Sequence, residues 1–319
     1  MASDSFINAI AGAAGGSIAM TATYPLVFVS TRAAVSAEKE NKTTYQAVMD
    51  VIRSSEGITG LYSGLSSSLI GISVTNFVYY YFYERGRGVL MAARSTPGSK
   101  GLTIPESLLN GFIAGSATSI LSNPIWVIQT QQTVRTMAPP SSDPSAPKQV
   151  VVRKLSFVET AMNIINKNGV AALWAGIGPA LILVINPIIQ YTAFEQIKNF
   201  VMQRRTTQLR AAGSTRAASL SDWDYFLLGA ISKLIATSIT YPYIVVKSRL
   251  QAGRAEYPSA WAGLQAILGK EGVAGLYKGI SSKLVQSVLT AAILFAGQKR
   301  VYEVTKGVLT TAGLAKVTA

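Results

Sequence analysis

The 319-residue chain is 49% apolar and 14% charged, with a mean hydropathy of +0.31; a soluble globule carries about 25% charge, so the composition points to a membrane protein and away from a pair of soluble domains. Cysteine and histidine are both absent, which removes disulfides, thiol nucleophiles, imidazole bases and the usual zinc sites, so neither an enzyme nor a resident cofactor is expected. The formal net charge of +14 suits anionic partners such as lipid head groups and charged solutes, while no DNA-binding signature accompanies it, so no nucleic acid is expected.

Charge is segregated along the chain. Residues 5–31, 66–83, 107–134 and 168–194 carry none, and neither do 234–246 behind Lys233 or 284–298 behind Lys283. A membrane helix needs about 20 mostly apolar residues, so six spans are expected. The first runs over Phe6–Val35, with Gly12 and Gly16 on a small face for close packing and Pro25 removing a backbone donor. A short amphipathic helix follows over Thr44–Arg53 and stops at Glu56-Gly57, because glycine accepts a left-handed backbone. The second span covers Ser66–Val89 and ends in a tyrosine cluster, Tyr79 to Tyr83. The third starts near Pro105 and contains Pro124; residues 137–149, with four prolines, read as an inserted loop. The fourth runs over Gly176–Met202 through Asn186-Pro187, and the basic segment Lys198–Arg216 follows it as a loop. The fifth runs from Asp222 to Pro242 and the sixth from Ile280 to Val308. Ser, Thr, Asn and Gln recur in the spans, which suits helices around a wet interior. The N-terminus has neither a basic n-region nor an Arg-rich presequence, so any address is expected to be internal.

A tripled register underlies these spans. Pro25, Pro124 and Pro242 are each preceded at thirteen residues by glycine (Gly12, Gly111, Gly229) and at nine by Gly16, Gly115 or Lys233. Each is followed by a second signature: Glu56-Gly57 to Gly64, Asn168-Gly169 to Gly176, and Glu271-Gly272 to Gly279. The units are therefore 1–95, 102–205 with the insertion at 137–149, and 220–308, each a helix, a short helix and a helix. Two spans per unit give all three the same orientation, and the natural closure is a ring with a pseudo-threefold axis along the membrane normal.

The tripled Pro-x6-[Arg/Gln] followed by Glu-Gly-x-x-Gly-Leu-Tyr-x-Gly resembles the mitochondrial carrier family of solute transporters over the whole chain. Asn123-Pro124-Ile125-Trp126, Asn186-Pro187-x-x-Gln190 and Gly229 to Lys233 with Tyr241-Pro242 resemble its peroxisomal branch, which carries adenine nucleotides, CoA, NAD and FAD. The resemblance implies an all-α, six-span bundle working by alternating access, hinged at Pro25, Pro124 and Pro242. It also implies a gate of inter-helix ion pairs, with an acid two residues and a base five residues after each proline. Here those positions hold Val27, Trp126 and Ile244, and Ser30, Gln129 and Lys247. The three-pair gate cannot form, so closure is expected to rest on apolar packing of Val27, Trp126 and Ile244. Only Arg32, Gln131 and Arg249, seven residues after the prolines, keep the pattern. At the other end Glu84 with Arg87 and Glu195 with Lys198 match the family's second gate, while Gln298 leaves the third unit without an acid.

For the solute, Lys233 is the leading candidate, since a charge within a span is costly and functional by default. Lys247, Arg249, Arg32 and Lys283 add positive potential without an acid in mid-span, so an anion, phosphate above all, is expected. The family's contact points fall at Gly71 with Ile72, at Leu183 with Val184, and at Gln286; Gly71 is expected to leave room for a bulky solute. Asn76, Tyr80, Asn186 and Gln190 offer neutral hydrogen bonds. The expected partners are an anionic nucleotide or cofactor, membrane lipids and a peroxisomal import receptor at Lys198–Arg216, with the chain a monomer. Two alternatives stand beside this reading: a mitochondrial inner-membrane carrier of a similar anion, and a membrane scaffold that has lost transport.

Overall fold

The computed structural model describes residues 4–36, 43–54, 57–93, 102–134, 155–211, 219–253 and 257–293, all-helical with no strand among them. The first unit comprises α1 (Asp4–Val35), α2 (Thr44–Arg53), α3 (Gly57–Gly60) and α4 (Leu65–Ala92). The second comprises α5 (Ile104–Val134), α6 (Phe157–Asn168), α7 (Ile177–Ile182) and α8 (Asn186–Ala211), with 3-10 turns over Val170–Trp174 and Leu183–Ile185. The third comprises α9 (Asp222–Gln251), α10 (Ala260–Leu276) and α11 (Ile280–Ile293). Gly15–Val35 of α1, all of α5, the stretch Val170–Ala211 and α9 are each long and apolar enough to cross a membrane. The 28 residues of α4 have the length as well, since a helix rises 1.5 Å per residue against a hydrocarbon core of about 30 Å. The insertion at 137–149 and the sixth span beyond Ile293 lie outside the described residues.

The long helices continue through their prolines: Pro25, Pro124 and Pro242 lie inside α1, α5 and α9 respectively. A helical proline leaves the carbonyl four residues earlier without its donor. At Pro124 the Trp174 indole supplies the replacement, donating Nε1–H to the Ile120 carbonyl at 2.9 Å. The short helices start on reciprocal caps: Thr43 with Gln46 at α2 and Ser156 with Glu159 at α6, each side chain satisfying the other residue's backbone N–H.

One contact recurs in all three units and joins the two signatures. The residue before each proline donates a side-chain hydrogen bond to the carbonyl preceding the last glycine of its unit's second signature. Tyr24 Oη reaches Ser63 O at 2.8 Å, Asn123 Nδ2 reaches Ala175 O at 3.1 Å, and Tyr241 Oη reaches Lys278 O at 2.8 Å. In the outer units the same tyrosines stack on Tyr62 and Tyr277, ring centroids 6.1 Å apart in both pairs. The glycines that follow, Gly64, Gly176 and Gly279, have φ of 86°, 76° and 80°, a region that disfavours any side chain. Each also abuts the next unit. A Cβ on Gly64 would lie 3.4 Å from the Gln129 carbonyl oxygen, on Gly176 3.1 Å from that of Lys247, and on Gly279 2.7 Å from that of Ser30. First unit meets second, second meets third and third meets first, so the ring closes with pseudo-threefold symmetry.

The apolar core sits at this same proline end, one cluster per unit. Tyr24, Phe28 and Val29 pack on Val51 and Leu61; Val127 and Ile128 on Ile164; Tyr241, Val245 and Val246 on Ile267 and, from the first unit, Ala34.

Three expectations change. The fourth span is not one uninterrupted helix: it breaks into the 3-10 turn Leu183–Ile185, because Pro187 has no N–H for the Leu183 carbonyl. The basic segment after it is not a loop. α8 continues to Ala211, carrying Lys198, Arg204, Arg205 and Arg210; Arg216 lies outside the described residues. Arg205 forks onto both Asp224 oxygens at 2.6 and 2.7 Å and ties α8 to the start of α9. Close packing belongs to Gly115, where a Cβ would come within 2.7 Å of Val184; Gly16 has no described atom within 4 Å, and the side-chain surroundings of Gly12 lie outside the description.

Candidate functional site

The proline ends of α1, α5 and α9 close on one another through neutral hydrogen bonds and one charged clamp. Gln129 Nε2 donates to Tyr24 Oη at 3.3 Å and to Thr133 Oγ1 at 3.0 Å, joining α5 to α1. Thr130 Oγ1 donates to Gln251 Oε1 at 3.3 Å and Gln251 Nε2 to Asn123 Oδ1 at 3.2 Å, joining α5 to α9. The third side is ionic. Arg249, only 4% exposed, donates Nε–H to the Ala34 carbonyl at 3.1 Å and forks onto Glu271, whose Oε2 also takes Lys278 Nζ at 2.8 Å. Hydrogen bonds from Arg249, then from Lys278, hold the Glu271 carboxyl down to about 2, against the cost of its burial.

This differs from closure by an apolar trio. Val27 is buried, but Trp126 turns to α4, donating Nε1–H to Thr75 Oγ1 at 3.2 Å and lying over Gly71. The room that Gly71 leaves is filled by that indole. Of the three residues seven positions after the prolines, Arg249 joins the clamp, Arg32 lies over the Phe28 ring at 4.6 Å, and Gln131 lines a surface cavity of about 790 Å³ with Asn168 and Lys167.

The opposite end is not drawn together in this way. Glu84 pairs with Arg87 at 3.5 Å and Glu195 with Lys198 at 2.8 Å, each along its own helix rather than across to a neighbour. Gln298 lies outside the described residues.

Between the two ends runs a cavity of about 720 Å³, walled by α4, α5 and the α7–α8 kink, with Lys247 at its foot and Leu183 and Val184 on its side. Lys283 lies close enough to Lys233 and Lys247 to feel both charges. None of these three lysines makes an ion pair among the described residues. Such an uncompensated cluster is a standing attraction for an anion. Lys233 is exposed on α9. Gln286 is buried, with Nε2 on Thr290 at 3.0 Å and Oε1 lacking a partner among the described residues. Asn186 is spent on Thr240 Oγ1 at 2.6 Å, which pins α8 to α9. Asn76 and Tyr80 are exposed; Ile72 and Gln190 are half-buried. Tyr79 and Tyr83, from the tyrosine cluster that closes the second span in the sequence, line the cavity, and so does Tyr191, passed over on sequence. The spacing of 79 and 83 was a signal for them, since i and i+4 share a helix face.

Tripled units closed into a ring, with a cavity that has a lysine at its foot, have the architecture of a membrane carrier. A family model described as "Mitochondrial carrier protein" matches residues 2–93, 100–205 and 218–313, and the chain belongs to that family. The chain is 38% identical to the peroxisomal nicotinamide adenine dinucleotide carrier of Arabidopsis thaliana, over 92% of this chain and 94% of that one. It is 34% identical to the peroxisomal membrane protein PMP47B of Candida boidinii, over 92% and 84%, and 31% identical to the peroxisomal membrane protein PMP34 of Mus musculus, over 98% and 96%.

Proposed function

We propose that the protein is an alternating-access carrier exchanging adenine nucleotides such as ATP and AMP, or the related cofactors CoA, NAD and FAD, across the peroxisomal membrane. The observation that carries the chemistry is the lysine cluster Lys233, Lys247 and Lys283, unbalanced by any described carboxylate. The peroxisomal placement and the cofactor class rest on the names of the relatives. In this reading Lys233 and Lys247 take the phosphates, and Leu183, Val184, Ile72 and Gln286 flank the solute. Asn76 and Gln190 supply neutral bonds, while Asn186 acts through its bond to Thr240. Pro25, Pro124 and Pro242 mark the hinges; Glu84, Arg87, Glu195 and Lys198 re-pair between helices when the second end closes. The three units at 1–95, 102–205 and 220–308 move as the carrier's parts, and the chain works as a monomer. Arg204 and Arg210, exposed on α8, offer an import receptor its basic surface.

Purified protein in liposomes should take up labelled ATP, AMP, CoA, NAD or FAD, faster with internal counter-solute; uptake of none of them would sink the reading. Lys233→Ala should abolish uptake while melting as wild type does. A normal rate would remove Lys233 from the site.

A further inference from the structure

The cavity has two unlike parts. Its foot is cationic, and its upper part is a slot without a charged side chain. On one side α4 presents Tyr79 and Tyr83 on one face, their rings stacked with centroids 5.8 Å apart and 21° between planes. On the other side stand Val184 at the kink and Tyr191 one helical stretch further along α8. The back of the slot is α5, where Gly111 lets the Tyr79 hydroxyl approach the backbone: a Cβ there would touch Tyr79 Oη at 3.5 Å. Tyr79 is half-buried, and its hydroxyl makes no hydrogen bond among the described residues. Tyr83 is held in place from behind, its carbonyl accepting Asn110 Nδ2–H at 2.8 Å. Asn110 in turn approaches so closely that a Cβ on Gly86 would meet its Oδ1 at 2.0 Å. The α4 face is therefore a fixed wall.

We infer that Tyr79 is the specificity-determining residue that stacks on the planar heteroaromatic ring of the solute, with its free hydroxyl toward the ring's edge and the phosphates below on Lys247. Aromatic faces take any base, because every base offers a π-face, and a stacked aromatic contributes about 1–3 kcal/mol per base, or roughly a five- to 150-fold change in affinity. The lysine foot fixes which end of the solute enters first. This rests on the nucleotide reading above and adds where the ring sits: on α4, across the slot from the kink at Leu183 and Val184. The ring, rather than phosphate alone, then sets what the carrier accepts.

The test is binding of etheno-AMP, a fluorescent nucleotide, to the full chain in detergent, with inorganic pyrophosphate as a ringless competitor at the lysines. Wild-type protein should bind etheno-AMP with a change in its emission, and pyrophosphate should displace it. Tyr79→Ala should weaken etheno-AMP about tenfold and remove the emission change, with the affinity for pyrophosphate unaltered; Tyr79→Phe should keep both near wild type. An Ala variant with wild-type affinity and emission would overturn the inference alone, as would equal weakening of etheno-AMP and pyrophosphate, which marks a merely structural residue. Failure of the wild-type protein to bind etheno-AMP at all would overturn the nucleotide reading, and the inference with it.

Discussion

Arg249 shows how one residue can serve the whole closed end. It is nearly inaccessible, and a buried charge is tolerable only when paired and hydrogen-bonded; Glu271 supplies the pair and the α1 carbonyl of Ala34 a further acceptor. Replacing Glu271 by Gln leaves the guanidinium uncompensated, which for a buried pair costs about 3–5 kcal/mol. We predict a melting temperature lowered by several degrees for Glu271→Gln, and a smaller drop for Lys278→Ala, whose removal leaves the buried pair intact. The pH dependence has a definite sign. Glu271 titrates near 4.5 when unpaired and near 2 in the fold, so its contribution is complete above about pH 4.5 and is lost as pH falls toward 2. Wild-type stability should fall through that acid window, and Glu271→Gln should flatten the fall; parallel curves for the two proteins would contradict the assignment.

At the scale of the helix, the bond from the pre-proline side chain to the carbonyl before the last glycine locks each odd helix to the segment that leads into its even partner. Tyr241→Phe removes one such bond and should cost about 1 kcal/mol. Asn123→Ala should cost more, because Asn123 also serves Leu173 O and Gln251 and its loss leaves buried acceptors unpaired. Thermal unfolding of the two variants checks the order, and equal losses would contradict it. The elements were legible in sequence wherever backbone chemistry dictates them: the prolines and the α2 limits at Thr44 and Arg53, although α2 ends on an extended Ser54 and the left-handed Gly57 opens α3 instead of ending α2. The partners were not legible. A carbonyl such as Ser63 O has the same chemistry in every residue, so nothing in the chain marks it as the acceptor of Tyr24. Glu84 and Glu195 each have a basic neighbour three residues on, and that local pair forms at an end that is not drawn together. Trp126 read as a gate residue from its position, yet its ring finds Gly71 and Thr75 of α4 because Gly71 leaves an indole-sized space.

For the molecule as a whole, the consequence is a carrier whose closed end is held by amides and hydroxyls on two sides and by the buried Arg249 clamp on the third. Neutral hydrogen bonds each contribute only about 0.5–1.5 kcal/mol and are little affected by salt, in contrast to ion pairs between exposed charges. An anion on the lysine cluster has to tip this modest balance for the ring to open. The lack of cysteine makes that directly observable. Ser30 is buried where the third unit meets the first, beside Gly279, and its own hydroxyl donates locally to Val27 O. With Ser30→Cys as the single thiol of the chain in proteoliposomes, a water-soluble maleimide applied from the proline end should label it slowly without solute. It should label markedly faster when a transported nucleotide is present, at low and high salt alike. Labelling at one rate with and without nucleotide would contradict the account.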